Sequence, residues 1–185
     1  MTIFERKKLE RDKYKKIRNE ISLYQKENVA KNVRLYVDTF VKEYKKIGYI
    51  VIYWPLNNEV DIRCLKEKIS LALPRCKDKK ELLFYPWDEK PLTKDSEGIL
   101  SPNNSFPLSY NQISMILVPC LSVDKNLTRL GYGGGYFDKL RTDNNWRNVP
   151  CIGILTSNCV STVPLTRAEW DIPLSGFITE KVIFV

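Results

Sequence analysis

At 185 residues, with 43% apolar side chains, the chain is long and apolar enough for one domain with a full hydrophobic core, which argues against disorder. Its 30 Lys and Arg against 22 Asp and Glu leave a net charge of +8, which favours anionic partners: nucleotide phosphates, a polyanionic small substrate or nucleic acid. There is no histidine, so proton transfer through imidazole and histidine metal ligation are excluded.

The chain opens on a strongly basic segment, with eight basic and three acidic residues in 1–18. It lacks the apolar h-region of a signal peptide, and no apolar run in the chain approaches the ~20 residues needed to span a bilayer, so no membrane association is expected. No glycine or proline occurs before Gly48, and residues 1–47 read as helices. Lys7, Arg11, Tyr14 and Arg18 are spaced four, three and four, so they share one face, and three cations on one stripe can reach across to a phosphate. The alternative is a solvated basic face that adds little stability. Ser22 suits a turn or cap after Ile21. The next helix carries Val29, Val33, Tyr36, Phe40, Tyr44 and Ile47 in a 3–4 rhythm, a core stripe ended by Gly48 as a C′ glycine.

Tyr49 to Trp54 (YIVIYW) is a β-branched and aromatic run closed by Pro55, the pattern of a buried strand. Glu59 and Asp61 follow at a loop-to-helix junction. An acid there either complements a helix dipole or, just past a strand's C-terminal end, faces a ligand. Residues 60–69 read as a short helix, 70–74 as a strand stopped by Pro74, and Leu82 to Tyr85 as an edge strand. Pro86 to Pro107 is polar with four prolines and reads as a long loop. Residues 113–118 form a strand bounded by Pro119, 135–142 a helix, Asp143 to Pro150 a polar connection, and Ile152 to Leu155 a further strand containing Gly153. In the last stretch, 169–179, Asp171 precedes a short closing strand. Helix and strand alternate throughout. The expectation is therefore a single three-layer α/β/α domain over 1–185 with a mostly parallel sheet: N-terminal helices in 1–47, and an α/β core in 48–185 that includes the 86–107 loop. The five cysteines (Cys64, Cys76, Cys120, Cys151, Cys159) are odd in number and never spaced C-x-x-C, the usage of reduced thiols in a cytoplasmic protein.

The chemistry concentrates between the 113–118 strand and the helix near Tyr136. Four of the chain's eight glycines stand at 131, 133, 134 and 135, with Arg129 before them and Asp138 after. Glycines let a ligand approach backbone amides closely, and successive N–H groups beside a helix N-terminus form a concave anion site. A cation, a nest of amides and a carboxylate suit a nucleotide phosphate with its magnesium. The dinucleotide fingerprint does not fit, because Tyr136 stands where its last glycine should be, and no Gly-Lys-Ser/Thr follows for a P-loop. A plain glycine-rich surface turn is the alternative.

RLGYGGGYFD after VPCLSVD resembles the signature of the 5-formyltetrahydrofolate cyclo-ligase family, also called methenyltetrahydrofolate synthetases. Lys7-xxx-Arg11 with Arg18 and Ser22, YWPLNNEVD at 53–61, LPRC at 73–76 and EWDIPLSGFIT at 169–179 agree in order and spacing, so the resemblance spans about residues 7–180. It implies conversion of 5-formyltetrahydrofolate to 5,10-methenyltetrahydrofolate while ATP becomes ADP and phosphate, with Mg²⁺, in a cytoplasmic protein expected to be a monomer. Carried over by position, it implies that Lys7 and Arg11 hold ATP phosphates, and that Arg129, Leu130, Gly131, Tyr132, Gly133, Gly134, Gly135 and Tyr136 wrap them. Tyr136 would also lie near the folate, Asp138 and Asp171 would hold Mg²⁺, Glu59 would accept hydrogen bonds from the pterin, and Trp54 would pack against it. Glu10, Ser101, Phe137 and Cys159 stand where the family more often has leucine, glutamate, tyrosine and glutamine. Gly134 occupies a position that is lysine in some relatives and glycine in others.

Two other classes remain open on these residues: a nucleotide-binding regulator on the same fold without turnover, and a basic nucleic-acid-binding protein, which pI ≈ 9.2 permits although no recognised nucleic-acid motif is present.

Overall fold

The computed structural model describes residues 1–44, 47–67, 69–88, 90–103 and 106–185. Two capped helices open the chain. α1 (Ile3–Asn19) begins at Thr2, whose hydroxyl accepts from the Glu5 N–H while the Glu5 carboxylate accepts from the Thr2 N–H. α2 (Leu23–Glu43) repeats the device with Ser22 and Gln25, so Ser22 is the cap its position promised. Each reciprocal pair satisfies two N–H groups that the first turn leaves without an intrahelical partner.

The core stripe of α2 runs along Val29, Val33 and Val37, with Tyr36 and Phe40 half-buried beside it and Tyr44 exposed. Small β-branched side chains let the helix lie close to the sheet, and the aromatic row covers the flank. Gly48 does not end this helix: α2 stops at Glu43, with Tyr44 already extended, and residues 45 and 46 lie outside the described residues. Gly48 answers a different need, because a Cβ there would stand 2.3 Å from the Gln112 carbonyl oxygen.

Seven strands form the main sheet. β1 (Tyr49–Val51), β2 (Leu71–Lys77), β6 (Ile113–Pro119), β9 (Cys151–Ile154) and β11 (Gly176–Ile178) run parallel, and β3 (Glu81–Pro86) and β12 (Ile183–Phe184) close the two edges antiparallel. The order is β12-β11-β9-β6-β1-β2-β3. Central parallel strands are covered on both faces, which is why β1, β6 and β9 are nearly continuous apolar runs. Alternation along β6 divides the core. Met115 and Leu117 join the α2 valines on one face, while Ile116 and Val118 join Tyr14 of α1 on the other. Helices therefore cover both faces of the sheet.

Several local expectations change. β2 continues through Pro74 instead of stopping there. Leu71 O accepts from Trp87 N on the β3 side and Ala72 O from Ile52 N on the β1 side, so Pro74 shares the orientation of Ala72, facing where β1 has already ended. The missing N–H has no ladder partner to lose. The helix expected over 60–69 reduces to one 3₁₀ segment, Arg63–Glu67, and residue 68 lies outside the described residues. The helix expected over 135–142 shortens to α3 (Tyr136–Leu140), and the polar connection after it contains α4 (Asn144–Arg147). Within 86–107, β4 (Thr93–Lys94) and β5 (Leu100–Ser101) form a hairpin; residues 89, 104 and 105 lie outside the described residues.

β6 does not feed the glycine loop directly. A second sheet intervenes, in which β7 (Ser122–Asp124) pairs antiparallel with β8 (Arg129–Leu130) and parallel with β10 (Val160–Ser161). Asp124, almost fully buried, builds the turn: one oxygen accepts from the N–H groups of Asn126 and Thr128, the other from Leu165. All of that carboxylate's burial is offset by hydrogen bonds.

The chain leaves β1 toward β2 on one side and leaves β6 toward β9 on the other, so strand order reverses between β1 and β6. Open α/β sheets bind ligands in the crevice that this reversal opens beyond the strands' C-terminal ends. Tyr53, Trp54 and Pro119, which follow or end these two strands, line a cleft there.

Candidate active site

The cleft has a volume of about 480 Å³ and gathers residues far apart in the chain. Lys7 and Arg11 enter from α1, Trp54 and Glu59 from the loop after β1, Arg129 and Leu130 from β8, Gly131 to Tyr136 from the glycine loop, and Asp138 and Asp171 from the far wall. Every position that the family resemblance assigned to ATP, folate or metal thus lines one cavity. Its described walls carry four cationic side chains (Lys7, Arg11, Lys80, Arg129) and four acidic ones (Glu59, Glu97, Asp138, Asp171), so placement, not net sign, must select an anion.

The glycine loop supplies that placement. Gly133 has φ +105° and Gly135 φ +75°, both in the region that side chains disfavour. Among the described residues, no backbone N–H from Gly131 to Gly135 donates a hydrogen bond within the protein. Free amides on a winding backbone form an anion nest. α3 is only five residues long, so these amides matter more than a helix dipole. Arg11 Nε donates to the Gly131 carbonyl at 3.0 Å, which ties α1 to the loop and brings the rest of the guanidinium beside Gly133.

The two candidate metal carboxylates each hold a cation. Asp138 Oδ1 accepts from Arg129 Nη2 at 3.2 Å, and Asp171 Oδ2 pairs with Lys7 Nζ while also accepting from the Ala168 N–H at 2.7 Å. Burial works against the Arg129 charge, but the adjacent Asp138 carboxylate counters it, and its pKa sits above the ordinary arginine value. Lys7 is not part of a solvated stripe: its side chain is 12% exposed and that of Asp171 9%. The other two members of the α1 stripe meet other surroundings. Tyr14 belongs to the core, and Arg18 turns to the loop after β1.

At that end of the cleft Glu59 is buried, with a side-chain exposure of 3%. Its Oε2 accepts from the Leu56 N–H at 2.7 Å, and Oε1 has no hydrogen-bond partner. Burial pushes its pKa up, and the Leu56 N–H and the Arg18 charge pull it part of the way back. Trp54 is set by neighbours on two sides: Trp87 edge-on at 6.1 Å, and the Arg63 guanidinium 4.4 Å from its ring centre. Asp61 grips Arg63 through two oxygens, so this acid braces the indole from behind and does not face the cleft.

Sequence reasoning missed four contributors. Glu97, at the tip of the β4–β5 hairpin, accepts from the Tyr136 hydroxyl at 2.5 Å, and that bond pushes the Tyr136 pKa up to about 12. Lys80, in the turn between β2 and β3 with φ 60°, brings its Nζ to 3.6 Å from where a Gly135 Cβ would stand. Phe4 and Trp170 form an aromatic lip, rings 6.5 Å apart. A polar loop with four prolines and a lone lysine in a turn carry no local signal of facing a cleft; only the fold brings them there.

The unusual residues find partners. Glu10 accepts from both the N–H and the hydroxyl of Thr166 at 2.9 and 2.8 Å. Ser101 Oγ lies 3.2 Å from Arg75 Nη1, Phe137 lies under the Arg129 guanidinium at 5.3 Å, and Cys159 is buried beside Thr156.

Known proteins resemble this chain in sequence and fold. Residues 3–180 match the 5-formyltetrahydrofolate cyclo-ligase family. A 5-formyltetrahydrofolate cyclo-ligase of Haemophilus influenzae is 26% identical over 175 residues, covering 89% of this chain and 92% of that protein. The solved structure of a 5,10-methenyltetrahydrofolate synthetase from Aquifex aeolicus superposes with a TM-score of 0.76 at 25% identity, covering 96% of this chain and 91% of that one. One from Mycoplasma pneumoniae shares the fold with a TM-score of 0.72 at 24% identity, over 94% of this chain and 98% of that one.

Proposed function

This chain belongs to the 5-formyltetrahydrofolate cyclo-ligase family and is a ligase of that kind, and from that premise we propose how its own residues close the ring. The carrying observation is one cleft with two unlike ends: free amides flanked by Lys7, Arg11 and Arg129 at one, and the buried Glu59 carboxylate with the Trp54 indole at the other. A polyphosphate and a pterin can lie side by side in it.

A formamide carbon is a weak electrophile, and its oxygen is a poor leaving group. When the γ-phosphoryl group of ATP passes to the formyl oxygen, the carbon becomes open to attack by N10. The new C–N bond closes the five-membered ring, N10 gives up its proton, and the C–O bond breaks as phosphate departs, leaving 5,10-methenyltetrahydrofolate, ADP and phosphate. Phosphoryl transfer asks chiefly for positioning and charge neutralisation, which a site without histidine can supply.

In this reading Lys7, Arg11 and Arg129 neutralise the phosphates while the N–H groups of Gly131 to Tyr136, following Leu130, wrap them. Glu59 accepts hydrogen bonds from the pterin N–H groups and Trp54 packs on the ring. Tyr136 stands where phosphate and folate meet, its hydroxyl aimed by Glu97. Asp138 and Asp171 fit a hard cation such as Mg²⁺: each has one oxygen engaged by a cationic side chain, and the other oxygen is bonded to no described group. Mg²⁺ there would supply positive charge to the transferring phosphoryl group. The proposal extends to a cytoplasmic monomer acting as one catalytic unit over 1–185: residues from Lys7 to Asp171 line the one cleft, and the five unpaired thiols suit a reducing compartment.

The test is product formation, followed by the near-ultraviolet absorbance of the methenyl compound, with ATP and Mg²⁺ each omitted in turn. Folded protein that forms no product where a known cyclo-ligase does would end the reading.

A further inference from the structure

The folate end of the cleft contains a buried cation that phosphate chemistry does not use. The Arg18 side chain is 9% exposed. Its Nε donates to the Asn58 carbonyl at 2.7 Å and its Nη2 to the Asn57 carbonyl at 3.1 Å. The guanidinium also lies 5.2 Å from the centre of the Tyr132 ring. Two carbonyls and an aromatic ring hold it in place without any help from Glu59.

Arg18 Nη2 then stands 3.7 Å from Glu59 Oε1. That distance gives charge attraction but is too long for a hydrogen bond. A bond from Arg18 would occupy Oε1; at this separation the guanidinium offsets the carboxylate's charge and leaves its lone pairs free. Oε2 is already taken by the Leu56 N–H, and Oε1 is buried with no partner. A buried oxygen without a partner calls for an explanation, and a ligand donor is one.

We propose that Arg18 is the positioning residue for Glu59: it sustains the buried carboxylate as an anion and presents the unpartnered Oε1 to an N–H donor of the pterin. This inference rests on the folate reading of the cleft.

The groups around Glu59 agree with that assignment. Tyr53 faces it from just past β1, Lys26 from α2, Cys120 from the end of β6 and Cys159 from the 3₁₀ turn Ser157–Cys159. Burial raises the pKa of Tyr53, Cys120 and Cys159, so these three stay neutral near pH 7, and Asp61 is committed to Arg63. Lys26 reaches only the Asn58 side chain, at 3.4 Å. Among the described residues, Arg18 is thus the cation nearest the carboxylate.

The experiment compares Arg18→Met, Arg18→Lys, Glu59→Gln and the Arg18→Met/Glu59→Gln double variant, reading both KM values and the pH profile of kcat/KM for 5-formyltetrahydrofolate. Arg18→Met is expected to raise the folate KM about tenfold at neutral pH, the scale of one lost charged contact. The ATP KM should stay within about twofold, and the acid limb should move to higher pH by roughly a unit, because the carboxylate loses its offsetting charge. Arg18→Lys keeps the charge, so its limb should stay near that of the wild type while its KM rises less. Adding Arg18→Met to Glu59→Gln should cost nothing further. Equal rises in both KM values with an unmoved limb, or full additivity with Glu59→Gln, would make Arg18 a structural strut and overturn the proposal. Should Arg18→Met not fold, Arg18→Lys decides alone: a limb displaced by as much as a unit overturns it. Wild-type protein that neither binds nor turns over 5-formyltetrahydrofolate overturns the folate reading itself, an outcome that no Arg18 variant mimics.

Discussion

Replacing Lys7 with methionine tests two roles at once, because the side chain proposed to hold ATP phosphates also pairs with Asp171. The sequence alone places Lys7 on an exposed stripe, where its loss would leave stability unchanged. The structure says otherwise. With the lysine gone, Asp171, 9% exposed at its side chain, keeps only the Ala168 N–H on Oδ2. Breaking a deeply buried pair costs ~3–5 kcal/mol, but this one borders an open cleft that water enters, so about 1–3 kcal/mol is the better expectation. For a chain of this size ~2 kcal/mol lowers Tm by roughly 4–8 °C. The ATP KM should rise roughly tenfold or more, as expected when a charge-assisted contact to phosphate is lost. Thermal melts of Lys7→Met, Asp171→Asn and the double variant, together with ATP kinetics, separate the two effects. In a double-mutant cycle the pair should show coupling of about 1–2 kcal/mol. Melting within 1 °C of the wild type, or strict additivity in the cycle, would refute the pairing argument even if the ATP KM rises.

Glu59→Gln keeps the shape but forfeits a charged acceptor worth about 1.5–3 kcal/mol, so the folate KM should rise roughly tenfold or more while the ATP KM barely moves. Burial raises the Glu59 pKa, so in the wild type the folate KM should climb as pH falls through that raised value and the carboxylate protonates; the glutamine variant should lose this limb, and a persisting limb would assign it to another group. Asp138→Asn should sharply increase the Mg²⁺ concentration needed for half-maximal rate; wild-type magnesium dependence would leave Asp138 as only the partner of Arg129. Gly48→Ala puts a Cβ 2.3 Å from a backbone carbonyl oxygen, so chemical denaturation should show a loss of about 1–3 kcal/mol with no specific effect on either KM; unchanged stability would mean that the junction before β1 can shift freely.

The sequence by itself determined the sheet's central strands and the glycine loop. Both are local statements: YIVIYW, SMILV and CIGI are apolar enough to be buried on two faces, and clustered glycines permit the left-handed backbone of such a loop whatever surrounds them. The residues expected in the site do line one cleft for the same reason, since most of them lie beside strand ends and that loop. Tertiary structure decided the rest, wherever the outcome depended on which surface came opposite. Helical spacing puts Lys7, Arg11, Tyr14 and Arg18 on one face, but α1 crosses a boundary between cleft, core and the loop after β1, so that face meets three different environments. Spacing also cannot reveal that Lys7 meets Asp171, 164 residues away, or that the 86–107 segment brings Glu97 to Tyr136. Pro74 reads as a strand breaker until the register shows its missing N–H pointing past the end of β1. Gly48 reads as a helix stop until the Gln112 carbonyl is seen to press against it. A residue's chemistry is written in the chain, but what it does depends on the neighbour that folding places against it.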